Sequence, residues 1–214
     1  MNSEGIQQEN METCAVNSLS VWQSAVKQAF DYMVSFLFLL VVSPFLILLI
    51  LLIKLSGKGP VIYTQDRIGM NGKPFSIYKI RSMAFNPERK DPLLSGDEYE
   101  RITRIGRVLR KYRIDEIPNF FNVLKGDMSI VGPRPERRFF ISQIIKQAPQ
   151  YIVLHKVKPG ITSWGQVMFG YASNVDEMIR RLQFDLYYLK HRSLMFDLKI
   201  LLKTVIIVFK GKGI

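Results

Sequence analysis

A chain of 214 residues is long enough to bury its own core, as one domain or as one domain with an anchor, and a formal charge of +12 calls for an anionic partner. The single cysteine, Cys14, excludes an internal disulfide and fits a reducing compartment, and with only two histidines beside it the usual zinc sites are excluded too. No helical HExxH, P-loop or GxGxxG motif occurs.

Residues 1–24 read as a flexible polar tail. Its early charges, Glu4, Glu9 and Glu12, are acidic and its apolar region starts late, the reverse of a secretory signal. From Met33 to Ile53 there is no charged residue, a length sufficient to cross a hydrocarbon core as a helix. Ser43-Pro44 stands in the middle. Pro44 has no N–H and its ring collides with the Leu40 carbonyl, so the helix must kink or break there, and the Ser43 hydroxyl can bond a freed carbonyl. Two topologies remain open: a span, with the tail outside, or a re-entrant hairpin with both ends on one side. Lys54, Lys58 and Arg67 place the C-terminal part in the cytoplasm in either case.

After a turn at Gly57-Lys58-Gly59-Pro60, Val61–Gln65 and Phe75–Ile80 predict two strands of a β-hairpin near the membrane, joined by a loop over Asp66–Pro74 with an Asn-Gly turn signal. Lys79 and Arg81 share one strand face, either as a solvated cationic edge or as a phosphate clamp. Residues 86–100 read as a surface loop. Helical spacing returns with Ile102, Ile105, Leu109 and Tyr112 on one side and Arg104, Arg107 and Lys111 largely on the other. Residues 136–156 predict a helix packed through Phe139, Phe140, Ile144 and Ile145. Lys158–Thr162 predicts a turn, Ser163–Val167 an extended piece and residues 174–192 a helix. Ser193–Lys210 predicts a helix, either of the core or lying on the bilayer, and the lysines that interrupt its apolar residues favour the bilayer. His155 and His191 read as packing or surface residues. The fold class is α+β: a small mixed α/β body resting on the membrane through amphipathic helices.

The chemistry concentrates between Arg113 and Pro135. Asp115 and Glu116 are adjacent carboxylates, Pro118 marks a helix boundary, and Gly132-Pro133-Arg134-Pro135 fixes a guanidinium between two rigid residues. An aspartate can attack phosphorus covalently, provided that nearby cations offset its repulsion of the substrate's phosphates. The bland alternative is an acidic pair neutralised by neighbouring arginines.

These pieces together resemble the small, monotopic phosphoglycosyl transferases among the bacterial sugar transferases. The likeness covers roughly residues 25–210. It rests on Lys27 through Asp31, Ser43-Pro44, Gly59–Gly69, Lys79–Met83, Asp115–Pro118, Asn122–Pro135, Lys158–Thr162 and Asp197-Leu198, in the family's order. The resemblance implies transfer of a sugar-1-phosphate from a UDP-sugar to polyprenyl (undecaprenyl) phosphate, with release of UMP and an aspartyl phosphosugar intermediate. It implies Asp115 as nucleophile, Glu116 either as its acid/base partner or as a group that helps hold the metal, and Mg²⁺ at the Asp115-Glu116 pair. Arg134, with Pro133 and Pro135, falls at the nucleotide site, and Lys79 and Arg81 become diphosphate contacts. A re-entrant helix over residues 25–56, broken at Ser43-Pro44, would precede a catalytic domain over 57–214 on the cytoplasmic face of the bacterial inner membrane. Membrane lipid is then a partner, a homodimer is compatible, and nucleic acid is not expected. The absence of upstream membrane helices would make this the minimal form. One departure stands out: the family's frequent Gly-Trp-Ala-Gln is here Ser163-Trp164-Gly165-Gln166, a swap that could alter sugar choice. Two other classes compete. A basic, membrane-anchored binding protein leaves the dyad unexplained, and a metal-dependent glycosyltransferase would often carry an Asp-x-Asp pair, which is missing.

Overall fold

The computed structural model describes residues 16–55, 59–84 and 102–211. The expected loop at 86–100 and the first 15 residues of the expected tail lie outside them. Helix α1 spans Val21–Leu55, 35 residues or about 52 Å. Just before it, the Asn17 N–H donates to the Leu189 carbonyl at 2.9 Å.

The helical path of α1 continues through Pro44. The i−4 carbonyl that Pro44 cannot satisfy is that of Leu40, and the Ser43 hydroxyl donates to it at 2.8 Å. Most of the middle of α1 is exposed and apolar, including Phe36, Leu37, Leu40, Val41, Phe45, Ile47 and Leu48. Its two ends are not. Near the N-terminal end, Lys27 Nζ meets Asp197 Oδ2 at 2.6 Å and the Val131 carbonyl at 3.2 Å, and the Ser129 hydroxyl donates to Asp31 at 2.6 Å. Near the C-terminal end, Leu49 and Ile53 are buried against Ile80 and Leu109, and Arg81 Nη2 donates to the Ile53 carbonyl at 3.0 Å. The same body therefore grips α1 on both sides of its apolar middle.

Strands β1 (Ile62–Ile68) and β2 (Pro74–Ile80) form the antiparallel hairpin, with Tyr63 opposite Lys79 and Asp66 opposite Ser76. The hairpin is longer than the sequence suggests: Asp66–Ile68 belong to β1 because the Ser76 hydroxyl bonds Asp66 at 2.7 Å across the ladder. The reversal is a short 3₁₀ turn, Met70–Gly72, with Asn71 and Gly72 at φ 58 and 71.

Helix α2 (Arg104–Lys111) starts at Thr103, whose hydroxyl accepts from the Gly106 N–H. It lies so close to the end of the hairpin that a Cβ on Gly106 would sit 1.8 Å from the Ser82 carbonyl oxygen. Leu109 is buried as expected, whereas Ile105 and Tyr112 remain part-exposed. Helix α3 (Asn119–Lys125) packs on α1 through Phe38 and Phe120, ring centroids 4.5 Å apart. The buried Asn122 side chain donates to the Ser76 carbonyl at 2.8 Å and fastens α3 to β2.

Strand β3 (Ser129–Val131) pairs in parallel with β4 (Gly160–Thr162). The predicted turn at Lys158–Thr162 is thus partly strand. Gly160 is needed there, since a Cβ would lie 2.1 Å from the Gly132 nitrogen. Helix α4 (Arg138–Gln147) is shorter than predicted: Pro149 ends it, and Pro149–Lys156 continues as 3₁₀. Phe140 and Ile144 are buried, but Phe139 is half-exposed. The piece expected to be extended is helix α5 (Trp164–Met168), nucleated by the Ser163 hydroxyl accepting from the Gln166 N–H at 3.0 Å. Helices α6 (Val175–Lys190) and α7 (Leu194–Phe209) complete the α+β body. The main core joins Ile77, Val123, Ile130, Ile144, Leu182, Tyr188 and Ile200. Along α7, Met195, Leu198, Leu202, Val205, Ile206 and Phe209 stay exposed, while Lys199 and Lys203 lie over the Trp164 ring.

Candidate active site

The Asp115-Glu116 pair occupies a single 3₁₀ turn, Ile114–Glu116, between α2 and α3. Pro118 is the N-cap of α3, so the boundary signal in the sequence falls where it was expected. Ile114 packs with Leu49 and Ile53 of α1, which brings the turn against the far end of the apolar helix. Arg113 enters the turn in the left-handed region, φ 54.

Both carboxylates are buried, and their surroundings differ. Glu116 Oε1 accepts from Lys79 Nζ and from Arg134 Nη2, each at 2.9 Å, and Oε2 lies 3.9 Å from Arg113. Burial alone would raise the Glu116 pKa. Arg134, Lys79 and Arg113 outweigh it and hold Glu116 well below the usual carboxylate range. Burial pushes Asp115 the other way, up to about 6; Lys79 opposes the rise and the Glu116 charge adds to it. The pair therefore divides into a member that its cations hold ionised and a neighbour that changes charge near pH 6. Burial also raises the Tyr63 hydroxyl, which has Lys79 and Asp115 among its charged neighbours.

Lys79 reaches the dyad because it sits on the inward face of β2, opposite Tyr63. Arg134 reaches it because its turn is fastened on both sides. Behind it, Gly132 N–H donates to the Thr162 carbonyl and Gly160 N–H to the Pro133 carbonyl. Ahead of it, Arg67 Nη1 donates to the Pro135 carbonyl at 3.1 Å and to Glu136 Oε2 at 3.1 Å. Arg181 then closes on Glu136 Oε1 at 2.6 Å. Pro133 and Pro135 thus serve as backbone anchors of the Arg134 turn. Of the expected phosphate contacts, Arg81 is turned elsewhere, toward the C-terminal end of α1.

Several participants were not singled out by the sequence. Glu136 follows the Pro-Arg-Pro run directly, but a lone glutamate there gives no sign that two distant arginines close on it. Tyr171 lies in the connection after α5, and the guanidinium carbons of Arg113 and Arg134 stand 5.1 and 5.3 Å from its ring centre. Arg110 is tied by Nε to the Ser82 hydroxyl at 3.0 Å. Both departures at Ser163-Trp164-Gly165-Gln166 serve local structure: Ser163 caps α5, and a Cβ on Gly165 would meet Asp185 Oδ2 at 2.7 Å.

No cluster of three or more metal-ligating side chains occurs among the described residues. A magnesium ion needs few protein carboxylates and completes its shell with water and phosphate oxygens. Asp115 fits that demand. Glu116 does not while Lys79 and Arg134 occupy its Oε1 and Arg113 lies 3.9 Å from its Oε2, because a divalent ion there would face all three cations.

A buried, cation-ringed carboxylate pair thus lies in the same body as a helix that is, by length and composition, apolar enough to cross a membrane. Residues 22–211 match the family described as bacterial sugar transferase, and the chain belongs to that family. It is 43% identical over 188 residues to the UDP-N-acetylgalactosamine-undecaprenyl-phosphate N-acetylgalactosaminephosphotransferase of Aeromonas hydrophila, covering 88% of this chain and 44% of that protein. It is 42% identical to the UDP-glucose:undecaprenyl-phosphate glucose-1-phosphate transferase of Escherichia coli K12, covering 87% of this chain and 40% of that protein. The chain therefore spans less than half the length of these two relatives. The sugar transferase EpsL of Bacillus subtilis matches at 38% over 190 residues, 88% of this chain and 90% of its own length.

Proposed function

We propose that this protein is a phosphoglycosyl transferase that moves a sugar-1-phosphate from a UDP-sugar to polyprenyl phosphate and releases UMP. The observation that carries the reading is the division of the dyad: Glu116 is held ionised by Lys79, Arg134 and Arg113, beside a buried Asp115 with a pKa of about 6. The names of the Aeromonas and Escherichia relatives, which carry a UDP-sugar and undecaprenyl phosphate, support the substrate classes.

In the proposed reaction, an ionised Asp115 oxygen attacks the phosphorus bearing the sugar. An acyl-phosphate bond forms, the bridging P–O bond breaks, and UMP leaves with the electron pair. A phosphate oxygen of the lipid acceptor then attacks the same phosphorus and returns the Asp115 carboxylate. Lys79 and Arg134 pass part of their charge from Glu116 to the incoming phosphates, while Glu116 keeps them positioned when the site is empty. Mg²⁺, held by Asp115 and the diphosphate, would neutralise phosphate charge when bound.

The membrane placement belongs to the same reading. Helix α1 would enter and leave one leaflet, bent at Ser43-Pro44, with the catalytic body on the cytoplasmic face. The contacts of Lys27 and Asp31 at one end and of Leu49 and Ile53 at the other, all with one body, support it. The exposed apolar edge of α7 supports a body resting on the bilayer.

The test is nucleotide release by the purified protein with Mg²⁺ and polyprenyl phosphate, across a panel of UDP-sugars, with Asp115→Asn in parallel. UMP that depends on the lipid for sustained turnover and disappears in the variant is the expected result. UDP as product would overturn the reading.

A further inference from the structure

We propose that Arg113, seated against the ring of Tyr171 beside Arg134, is a second phosphate-binding guanidinium of this site; the proposal rests on the phosphotransferase reading above. Arg113 adopts φ 54, a left-handed conformation that a non-glycine residue holds only at a cost. Its side chain is only 10% exposed, yet the nearest carboxylate oxygen, Glu116 Oε2, is 3.9 Å away, beyond hydrogen-bond distance. Its buried Nε has no hydrogen-bond partner. A buried guanidinium without a full set of acceptors is costly, and a phosphate supplies the acceptors it lacks.

Tyr171 explains how the group is held. A guanidinium stacked on a ring keeps its donors in its own plane, free at the edge for oxygen atoms. Arg113 and Arg134 lie 5.1 and 5.3 Å from the same ring centre, so one side chain presets both. Arg134 and Lys79 already share Glu116 Oε1. Three cations thus face one ionised glutamate, and the surplus charge is what a diphosphate or a lipid phosphate would neutralise.

The experiment uses the full chain in detergent, with inorganic pyrophosphate as the binding probe and steady-state nucleotide release as the second readout. Arg113→Asn removes the cation with a residue that tolerates positive φ. The expected result is an unliganded melting temperature near that of the parent, pyrophosphate binding weaker by about tenfold or more, and a raised KM with kcat changed less. A rise in the donor KM assigns the group to the diphosphate, and a rise in the acceptor KM assigns it to the lipid phosphate. Tyr171→Leu, which removes the ring under both guanidinium groups, should show part of the loss. If Arg113→Asn does not fold, Arg113→Lys, which keeps the charge but not the plane, should still bind pyrophosphate less well. Unchanged pyrophosphate affinity in the folded variant overturns the proposal, as does a parent that binds no pyrophosphate. A parent that binds pyrophosphate but releases no nucleotide from any donor sinks the phosphotransferase reading alone, and the binding series still decides Arg113.

Discussion

Lys79 Nζ stands 2.9 Å from Glu116 Oε1, a strand residue and a turn residue joined in a buried ion pair that Arg134 also enters at 2.9 Å. Such a pair is a poor device for stability alone, because each ion loses its hydration. It is a good device for holding cations ready beside Asp115. The assembly is organised so that removing different members has opposite consequences.

Asp115→Asn should abolish turnover and make the fold more stable at neutral pH. The folded-state pKa of Asp115 is raised from 3.8 to about 6, so its unfavourable effect on folding is absent below the unfolded value and develops as pH rises through 6. Removing the charge should stabilise by up to about 2–3 kcal/mol at pH 7.5 and by little at pH 4. Thermal melts at the two pH values measure this. A variant less stable than the parent at pH 7.5 would contradict the environment assigned to Asp115. In the parent, activity should fall as pH drops through about 6, where the nucleophile becomes protonated.

Glu116→Gln should do the reverse. It leaves Lys79, Arg134 and Arg113 facing one another without their shared anion, and the loss should be about 3–5 kcal/mol. Because the Glu116 pKa is lowered in the fold, its stabilisation is present above the ordinary glutamate value and disappears as pH falls through the folded one. Chemical denaturation at a series of pH values from 7.5 downward should show the gap between variant and parent narrowing toward acid pH. A constant gap would mean that the cations are satisfied elsewhere.

Gly160→Ala should prevent the β3–β4 pairing, since the new Cβ would meet the Gly132 nitrogen at 2.1 Å and its carbonyl oxygen at 2.4 Å. Neither backbone can give way without moving the Arg134 turn. Loss of folded protein, or loss of activity larger than the loss of stability explains, is expected; Gly170→Asn, strained at φ 91 but with open space around its Cβ, should cost less. Expression and melting temperature distinguish the two.

Local chemistry made much of this legible. The Asp-Glu pair, the proline that follows it and the Pro-Arg-Pro turn are contiguous, so their spacing survives folding unchanged. Alternation in β2 put Lys79 on one face, but nothing local separated it from Arg81, whose Nη2 donates to the Ile53 carbonyl of α1. Strand β4 was unreadable as a strand because a three-residue parallel pairing depends on a partner far back in the chain, Ser129 for Gly160 and Val131 for Thr162. Helix α5 is too short for periodicity, and its one sign, Ser163 ahead of Gln166, is a capping hydroxyl that also suits a turn. Tyr171 and Glu136 acquire roles from residues far away in the chain, which no window of sequence contains.

Lys27 and Asp197 give the last prediction, on how α1 is held. Their 2.6 Å contact is buried and joins the N-terminal part of α1 to α7, with the Tyr188 hydroxyl donating to the other Asp197 oxygen at 2.7 Å. Lys27→Met alone should cost about 3–5 kcal/mol by leaving Asp197 without its cation, and Lys27→Met with Asp197→Leu should recover part of that loss. In cells the same contact bears on topology, because it ties the entry of α1 to the body that also holds Ile53. With Cys14 replaced by Ser, a cysteine at Ser18 should be shielded from an impermeant label added outside intact cells. Pro44→Leu should increase labelling if the bend sets the path of α1, and Lys27→Met should increase it if the ion pair does. Labelling of the parent at position 18 would show that α1 spans the membrane, and the contacts at its two ends could not then form together on one side.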